Sequence, residues 1–280
     1  MPFVTSQKML LDAQKGKYAV GAFNIENMEM VMAVIAAAEE MNAPVILQTT
    51  PSTTRYANLE MFCAMVKTVA EKASVPVSLH LDHGDSFELA QNAIKAGYTS
   101  VMIDGSHHSF EENIALSKSV ALIAGNTPVE AELGKVGGKE DDLEAEGDSN
   151  TNPAEAAEFT ARTGISSLAV AIGTAHGFYV GIPVLDKERL SQIRAVVDIP
   201  LVLHGASGVS DEDVRDCIER GICKVNFATE LRVAFTDGIK ALLKEKPDTY
   251  DPKPLGKAGI ENVKRLVKHK ITVCGCEGKA

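Results

Sequence analysis

Ala19-Val-Gly-Ala-Phe-Asn-Ile-Glu26 joins an apolar run to a polar turn, and a helical pattern follows it over Met28–Met41. Two fold types alternate strands with helices in this way. A doubly wound open sheet usually carries a glycine-rich turn after its first strand, where the backbone approaches a dinucleotide phosphate. Here the turn is Asn24-Ile25-Glu26, with no glycine. A closed (β/α)8 TIM barrel makes no such demand. The stretch favours the barrel, provided that seven more units can be found.

They can. Short apolar runs at Val45–Gln48, Val77–Leu81, Ser100–Ile103, Val129–Leu133, Ser167–Ile172, Pro200–Leu203 and Ile222–Asn226 read as buried parallel strands. Helical periodicity follows them over about Leu59–Lys72, Phe87–Ala96, Phe110–Ile123, from Pro153, over Asp186–Val196, over Ser210–Glu219 behind a serine cap, and on to Glu245. Between residues 134 and 152, glycines and acids show no periodicity, and loops of that length are usually functional. Pro247, Pro252 and Pro254 break the pattern before a last helix over about Gly259–Lys268. The expectation is an α/β chain with one barrel domain over residues 1–280. Residues 247–280 form a C-terminal helical extension available to pack on a neighbouring subunit.

The 280 residues suffice for one such barrel, and 45% hydrophobic with 24% charged residues is ordinary for a globular enzyme. A net charge of −10 argues against nucleic acid as a partner, since its phosphate backbone would be repelled. Five cysteines, an odd number without a C-x-x-C pair, read as reduced thiols. The start carries no basic region followed by an apolar run, and no window approaches about 20 apolar residues. A cytoplasmic protein without a membrane span is expected.

Barrel active sites form at the C-terminal strand ends. Those ends present Asn24, then Thr49 and Thr50, Asp82 and His83, Asp104, Glu132, His176 beyond Gly173, His204, and Asn226. Any one of His83, His176 and His204 would read as a core or hydrogen-bonding histidine. Three of them at strand ends facing one pocket read as a catalytic zinc site with open coordination positions. His80 reads as a core group, His107 and His108 as helix-capping or supporting residues, and His269 as exposed. Asp82 beside His83 is either a proton shuttle or a group that orients the ligand. Asp104 and Glu132 either accept a second cation or hydrogen-bond the ligands. Glu140 either swings over the pocket or belongs to a solvated acidic run. Glu130 and Lys224 should form an interior ion pair, with no chemistry required of it.

Two loops resemble phosphate cradles, namely His204-Gly205-Ala206-Ser207-Gly208 and Asn226-Phe227-Ala228-Thr229. Small residues let backbone N–H groups approach an anion at a helix N-terminus, and Ser207 and Thr229 add hydroxyls.

Several motifs in fixed order, together spanning nearly the whole chain, resemble the class II, metal-dependent ketose-bisphosphate aldolases. They are His80-Leu-Asp-His-Gly84, Val101-Met-Ile-Asp-Gly-Ser106, Val129-Glu-Ala-Glu-Leu-Gly134, Gly137-Gly-Lys-Glu-Asp-Asp142, Ala171-Ile-Gly-Thr-Ala-His-Gly177, Leu203-His-Gly-Ala-Ser-Gly208 and Lys224-Val-Asn-Phe-Ala-Thr-Glu230. The resemblance implies Zn2+ on His83, His176 and His204, and Asp82 as the acid/base at the hydroxyl of the bond made or broken. It implies Glu140 at the dihydroxyacetone phosphate carbon, and Thr50 as a hydroxyl contact to substrate. Gly177, Gly205, Ser207, Asn226 and Thr229 would bind dihydroxyacetone phosphate, some through Na+ or K+. Family members are homodimers or homotetramers acting on small phosphorylated sugars. Fructose-type members often carry Gly-Gly-Thr-Gly after the third zinc histidine and Asp before the last Thr. This chain has Gly205-Ala-Ser-Gly208 and Ala228 instead, which resembles the tagatose 1,6-bisphosphate branch.

Three alternatives remain at this stage. One is an aldolase for fructose 1,6-bisphosphate or another phosphorylated keto sugar. Another is a metal-dependent hydrolase, although such barrels often begin with a His-x-His pair and Ala22-Phe23-Asn24 offers none. The third is a companion subunit, or a catalytic chain that needs one.

Overall fold

The barrel strands are buried along their whole length, as expected of parallel strands covered by helices outside and packed side chains inside. The computed structural model describes residues 2–140, 143–145, 150–179 and 181–280, with residues 139, 140 and 143–145 described by their backbone. Strands β1 (Val20–Asn24), β2 (Val45–Thr49), β3 (Val77–Gly84), β4 (Ser100–Ile103) and β5 (Val129–Leu133) form one side of the barrel. A glycine-rich hairpin of β6 (Gly137–Glu140) and β7 (Leu143–Ala145) follows, and then β8 (Ser167–Val170), short β9 (Ala175–His176), β10 (Leu201–Leu203) and β11 (Ile222–Phe227). The order β1-β11-β10-β8-β5-β4-β3-β2 closes on itself, with Val20 opposite Lys224 and Ala22 opposite Asn226 at the seam. The expected (β/α)8 barrel is the fold.

Helices α1 (Ser6–Gly16), α2 (Met28–Glu40), α3 (Pro51–Tyr56), α4 (Leu59–Ala70), α5 (Phe87–Ala96), α6 (Phe110–Ile123), α7 (Pro153–Thr163), α8 (Lys187–Val196), α9 (Asp211–Glu219), α10 (Thr229–Glu245) and α11 (Pro252–Cys274) complete the chain. Their starts are chemically marked. Asn27, Asn58, Ser86, Asn152 and Ser210 each accept a backbone N–H of the first turn, and Ser109 with Glu112 forms a capping box. Among the described residues, no helix is long and apolar enough to cross a membrane.

The structure corrects four expectations. The last helix runs over Pro252–Cys274 rather than 259–268, because Pro252 and Pro254 sit in its first turn, where a missing N–H breaks no intrahelical bond. It packs along α10 and α2 of its own chain. The stretch 134–152 is not structureless: β6 pairs antiparallel with β7 and parallel with β9. His107 and His108 precede α6 in a turn, and Ser109 is the cap. Helices α1 and α3 are additions, and α1 crosses the end of the barrel where its strands begin. There Val4 N donates to Val77 O at 2.9 Å, and Ser6 Oγ bonds Ser100 Oγ at 2.9 Å.

Candidate metal centre and anion pocket

One irregularity in β3 shapes the site. Leu81 is opposite Val101 and Gly84 opposite Ile103, so β3 carries one residue more than β4 across that interval. Successive side chains of a regular strand face opposite ways, and a bulge re-aims one of them. His83 takes the extra place at φ 47°, a left-handed conformation that β-strands do not use. Gly84 follows because a Cβ there would stand 2.4 Å from Met102 O. Asp82 and His83, adjacent in sequence, are therefore both buried and both face the barrel mouth.

The two rings at the centre are braced from behind. His83 Nδ1 lies 2.9 Å from Asp104 Oδ2, whose other oxygen accepts Ser106 N at 3.0 Å. His204 Nε2 lies 2.9 Å from Glu130 Oε1. Ionised carboxylates only accept, so each of these nitrogens carries the proton. The opposite nitrogens, His83 Nε2 and His204 Nδ1, then turn lone pairs toward each other at 2.9 Å. Converging lone pairs repel unless a cation lies between them. His176, half-buried on β9, brings its ring centroid within 4.9 Å of His83 and 6.1 Å of His204. One ligand atom from each histidine falls within a 4.8 Å cluster, and His83, Asp104 and Glu132 form an overlapping group. Glu132 Oε2 stands 3.4 Å from His204 Nδ1. Three imidazoles, two of them with a carboxylate behind the ring, suit zinc.

The titration behaviour follows from burial. Burial alone would raise Asp104, but its bonds to His83 and Ser106 outweigh it and hold the carboxyl below its usual range. Glu130 is likewise raised by burial and lowered further by the Lys224 ammonium and His204. Burial pushes the His204 imidazole down, which keeps it neutral as a ligand must be.

Asp82 faces this cluster from the other side, oriented by three amides. Asn24 Nδ2 and Gln48 Nε2 donate to its Oδ2 at 2.9 and 3.0 Å, and Asn226 Nδ2 donates to Oδ1 at 3.1 Å. Gln48 escaped the sequence reading because it sits inside the apolar run of β2. The signal in the sequence is one amide side chain directly after Val45, Ile46 and Leu47.

Beside the cluster opens a cavity of about 230 Å³, lined by Asn24, His176, Gly177, Gly205, Ser207, Asn226, Ala228 and Thr229 from the expected set. Ser207 Oγ accepts Ala228 N at 3.3 Å and Glu230 N at 3.5 Å, tying the two phosphate-like loops together at the start of α10. That helix presents its positive end to the cavity. Among the described residues, Asn226 Oδ1 is buried with no protein hydrogen bond, an acceptor available to a ligand donor. Phe178, Arg232 and Val233 also line the wall, and Arg232 is paired with Glu26 at 2.7 Å.

Other expected residues stand apart. The side chains of Ala206 and Phe227 are buried in the core, Phe227 stacked on Phe23 at 5.6 Å. Thr50 directly precedes α3, its hydroxyl bonded to those of Ser52 and Thr53, outside the cavity wall. The backbone of Glu140 ends β6, and its side chain lies outside the described residues. Lys224 is 1% exposed and bonded to Glu130, inside the barrel rather than in the cavity.

Comparison with known proteins agrees in kind. Residues 4–279 match the family described as fructose-bisphosphate aldolase class-II. The chain is 39% identical to the YdjI aldolase from Escherichia coli K12, over 99% of both chains with a TM-score of 0.87. It is 32% identical to a candidate fructose-1,6-bisphosphate aldolase from Coccidioides immitis, over 97% of this chain and 96% of that one, with a TM-score of 0.88. A fructose-bisphosphate aldolase from Campylobacter jejuni, at 23% identity over 99% and 97% with a TM-score of 0.86, shares the fold.

Proposed function

Because the chain belongs to the class-II fructose-bisphosphate aldolase family, we propose that it is a zinc-dependent lyase that reversibly cleaves tagatose 1,6-bisphosphate into dihydroxyacetone phosphate and glyceraldehyde 3-phosphate. The observation that carries the reading is the pair of imidazole lone pairs converging at 2.9 Å beside an amide-held Asp82.

His83, His176 and His204 would hold the zinc, which when bound supplies Lewis acidity to the substrate ketone. In the cleavage direction Asp82 accepts the proton of the C4 hydroxyl as the C3–C4 bond breaks. Its three amide partners keep the carboxylate aimed at that oxygen. The electron pair stays on the dihydroxyacetone phosphate fragment, and Glu140 returns a proton to its carbon. Backbone N–H groups of the Gly205–Ser207 and Ala228–Thr229 loops, at the start of α10, hold the fragment's phosphate. A bound Na+ or K+ would sit with them, and Asn24 and Asn226 would hold hydroxyls. The tagatose preference rests on Gly205-Ala-Ser-Gly208 and Ala228, where fructose-type relatives often differ. The same reading carries a homodimer or homotetramer.

The test compares turnover of tagatose and fructose 1,6-bisphosphates by the purified chain, with product identification and a chelated control. Tagatose should be cleaved at least about tenfold faster, a difference of about 1.4 kcal/mol in transition-state stabilisation. Faster fructose cleavage would remove the tagatose assignment alone. Activity that survives complete metal removal would remove zinc from the reading. Phosphate release without carbon–carbon cleavage would point to a hydrolase.

A further inference from the structure

Behind the metal centre runs a line of buried polar groups that aldol chemistry does not use. Glu130 Oε1 meets His204 Nε2 at 2.9 Å, and Lys224 Nζ reaches Glu130 Oε2 at 2.9 Å and Oε1 at 3.1 Å. The same Nζ lies 3.3 Å from His80 Nε2, and His80 Nδ1 lies 2.8 Å from Ser100 Oγ. Ser100 Oγ in turn meets Ser6 Oγ of α1 at 2.9 Å. None of these side chains is more than 3% exposed. A pair this deep costs desolvation, and a hydrophobic pair of similar volume is often no less stable. Stability alone is a weak reason for it.

The direction of each bond supplies a better one. An ammonium only donates, so His80 Nε2 accepts, and its Nδ1–H donates to Ser100. The carboxylate with an ammonium on both oxygens only accepts, so His204 Nε2 must be the protonated nitrogen. Lys224 and Glu130 together therefore dictate that Nδ1 of His204 is the nitrogen with the open lone pair.

We propose that Lys224 and Glu130 are positioning residues for the metal: they fix the tautomer of His204 and place a negative charge behind it, and zinc affinity depends on both. This rests on the zinc reading above. Partners of this kind typically contribute 10- to 100-fold to metal affinity.

The pair makes an unusual prediction for Glu130→Gln. Lys224 Nζ stands within 3.1 Å of both carboxylate oxygens, so whichever of them becomes the NH2 faces the ammonium. The amide also carries no charge, so His204 loses the negative group behind Nε2, and the bond that holds its proton there is weakened. Zinc affinity, measured by competition with a chelator, should fall about 10- to 100-fold. Adding Lys224→Met removes that clash and lets the amide oxygen accept from His204 Nε2, so the double variant should recover part of that loss. In the metal-free parent, nitrogen NMR of the histidine rings should show His204 protonated on Nε2.

Parent protein with no zinc affinity would sink the metal reading itself. A folded Glu130→Gln chain binding zinc as tightly as the parent would overturn this proposal alone. Should the variant not fold, the parent's ring NMR still decides, because an Nδ1–H tautomer of His204 contradicts it outright.

Discussion

His83 and His204 differ from His176 in how they are held. The first two lie on or just after barrel strands, buried, each with a carboxylate at 2.9 Å behind the ring. His176 stands on the two-residue β9, half-buried, in a small sheet with the β6–β7 hairpin. Its register partner is Gly138, and Tyr179 Oη, which accepts Ala175 N and donates to Gly205 O at 2.7 Å each, links its strand to the His204 loop. Two of the histidines are thus built into the barrel wall, and the third stands on a short strand paired with the glycine-rich strand whose last residue is Glu140. A metal held by all three would sit between the barrel wall and the small sheet.

The sharpest way to break this comparison is to remove one ligand from each half. His204→Ala should lower zinc affinity by roughly 10³-fold and His176→Ala by roughly 10²-fold, each ligand carrying a few kcal/mol of a binding energy on the order of 10–16 kcal/mol. Equal losses, measured by chelator competition, would mean that the buried carboxylates add nothing.

A smaller effect should come from Gly138→Ala. At φ 84° a Cβ would stand 2.3 Å from His176 O and 2.8 Å from His176 N, so the new methyl must push β9 away. Zinc affinity should fall about tenfold, equivalent to about 1.4 kcal/mol, while the thermal midpoint of the metal-free barrel stays within a few degrees of the parent's. A large drop in that midpoint would show that the small sheet helps to hold the barrel together.

The smallest effect is a dependence of stability on pH in the braced half. Burial, then the Lys224 ammonium, hold His80 well below its ordinary value of 6.5. The unfolded chain binds a proton there that the folded chain refuses. Stability of the metal-free protein is therefore flat above about 6.5 and declines as pH falls below it, by at most about 1.4 kcal/mol per unit for this one group. Urea unfolding at pH 7.5 and 5.5 checks this, and His80→Gln should weaken the decline. An unchanged slope in that variant would assign the effect elsewhere.

The boundaries of β4, β5, α5 and α6 were legible in the sequence because local signals set them: apolar runs, helical periodicity and polar caps. The strand ends were legible too, and with them Asp82, His83, His204 and Asn226. The β6–β9 pairing was not, because two glycines and two charged residues carry no alternation, and their partner is remote in the chain. Gln48 looked like part of a strand until Asn24 and Asp82 were beside it. The interior pair of Glu130 and Lys224 was expected, but not its contact with His204, which depends on how strands β5, β10 and β11 meet in the barrel wall.

By itself the sequence determined a closed barrel from Ala19–Glu26 and the seven units after it, and it determined which side chains gather at the mouth, since strand ends are a local property. The tertiary structure alone decided which nitrogen His83 and His204 each offer and that Asp82 and His83 share one face. Both depend on partners distant in sequence, a bulge against β4 in one case and a carboxylate charged by Lys224 in the other, and hydrogen-bond direction has no meaning until those partners meet.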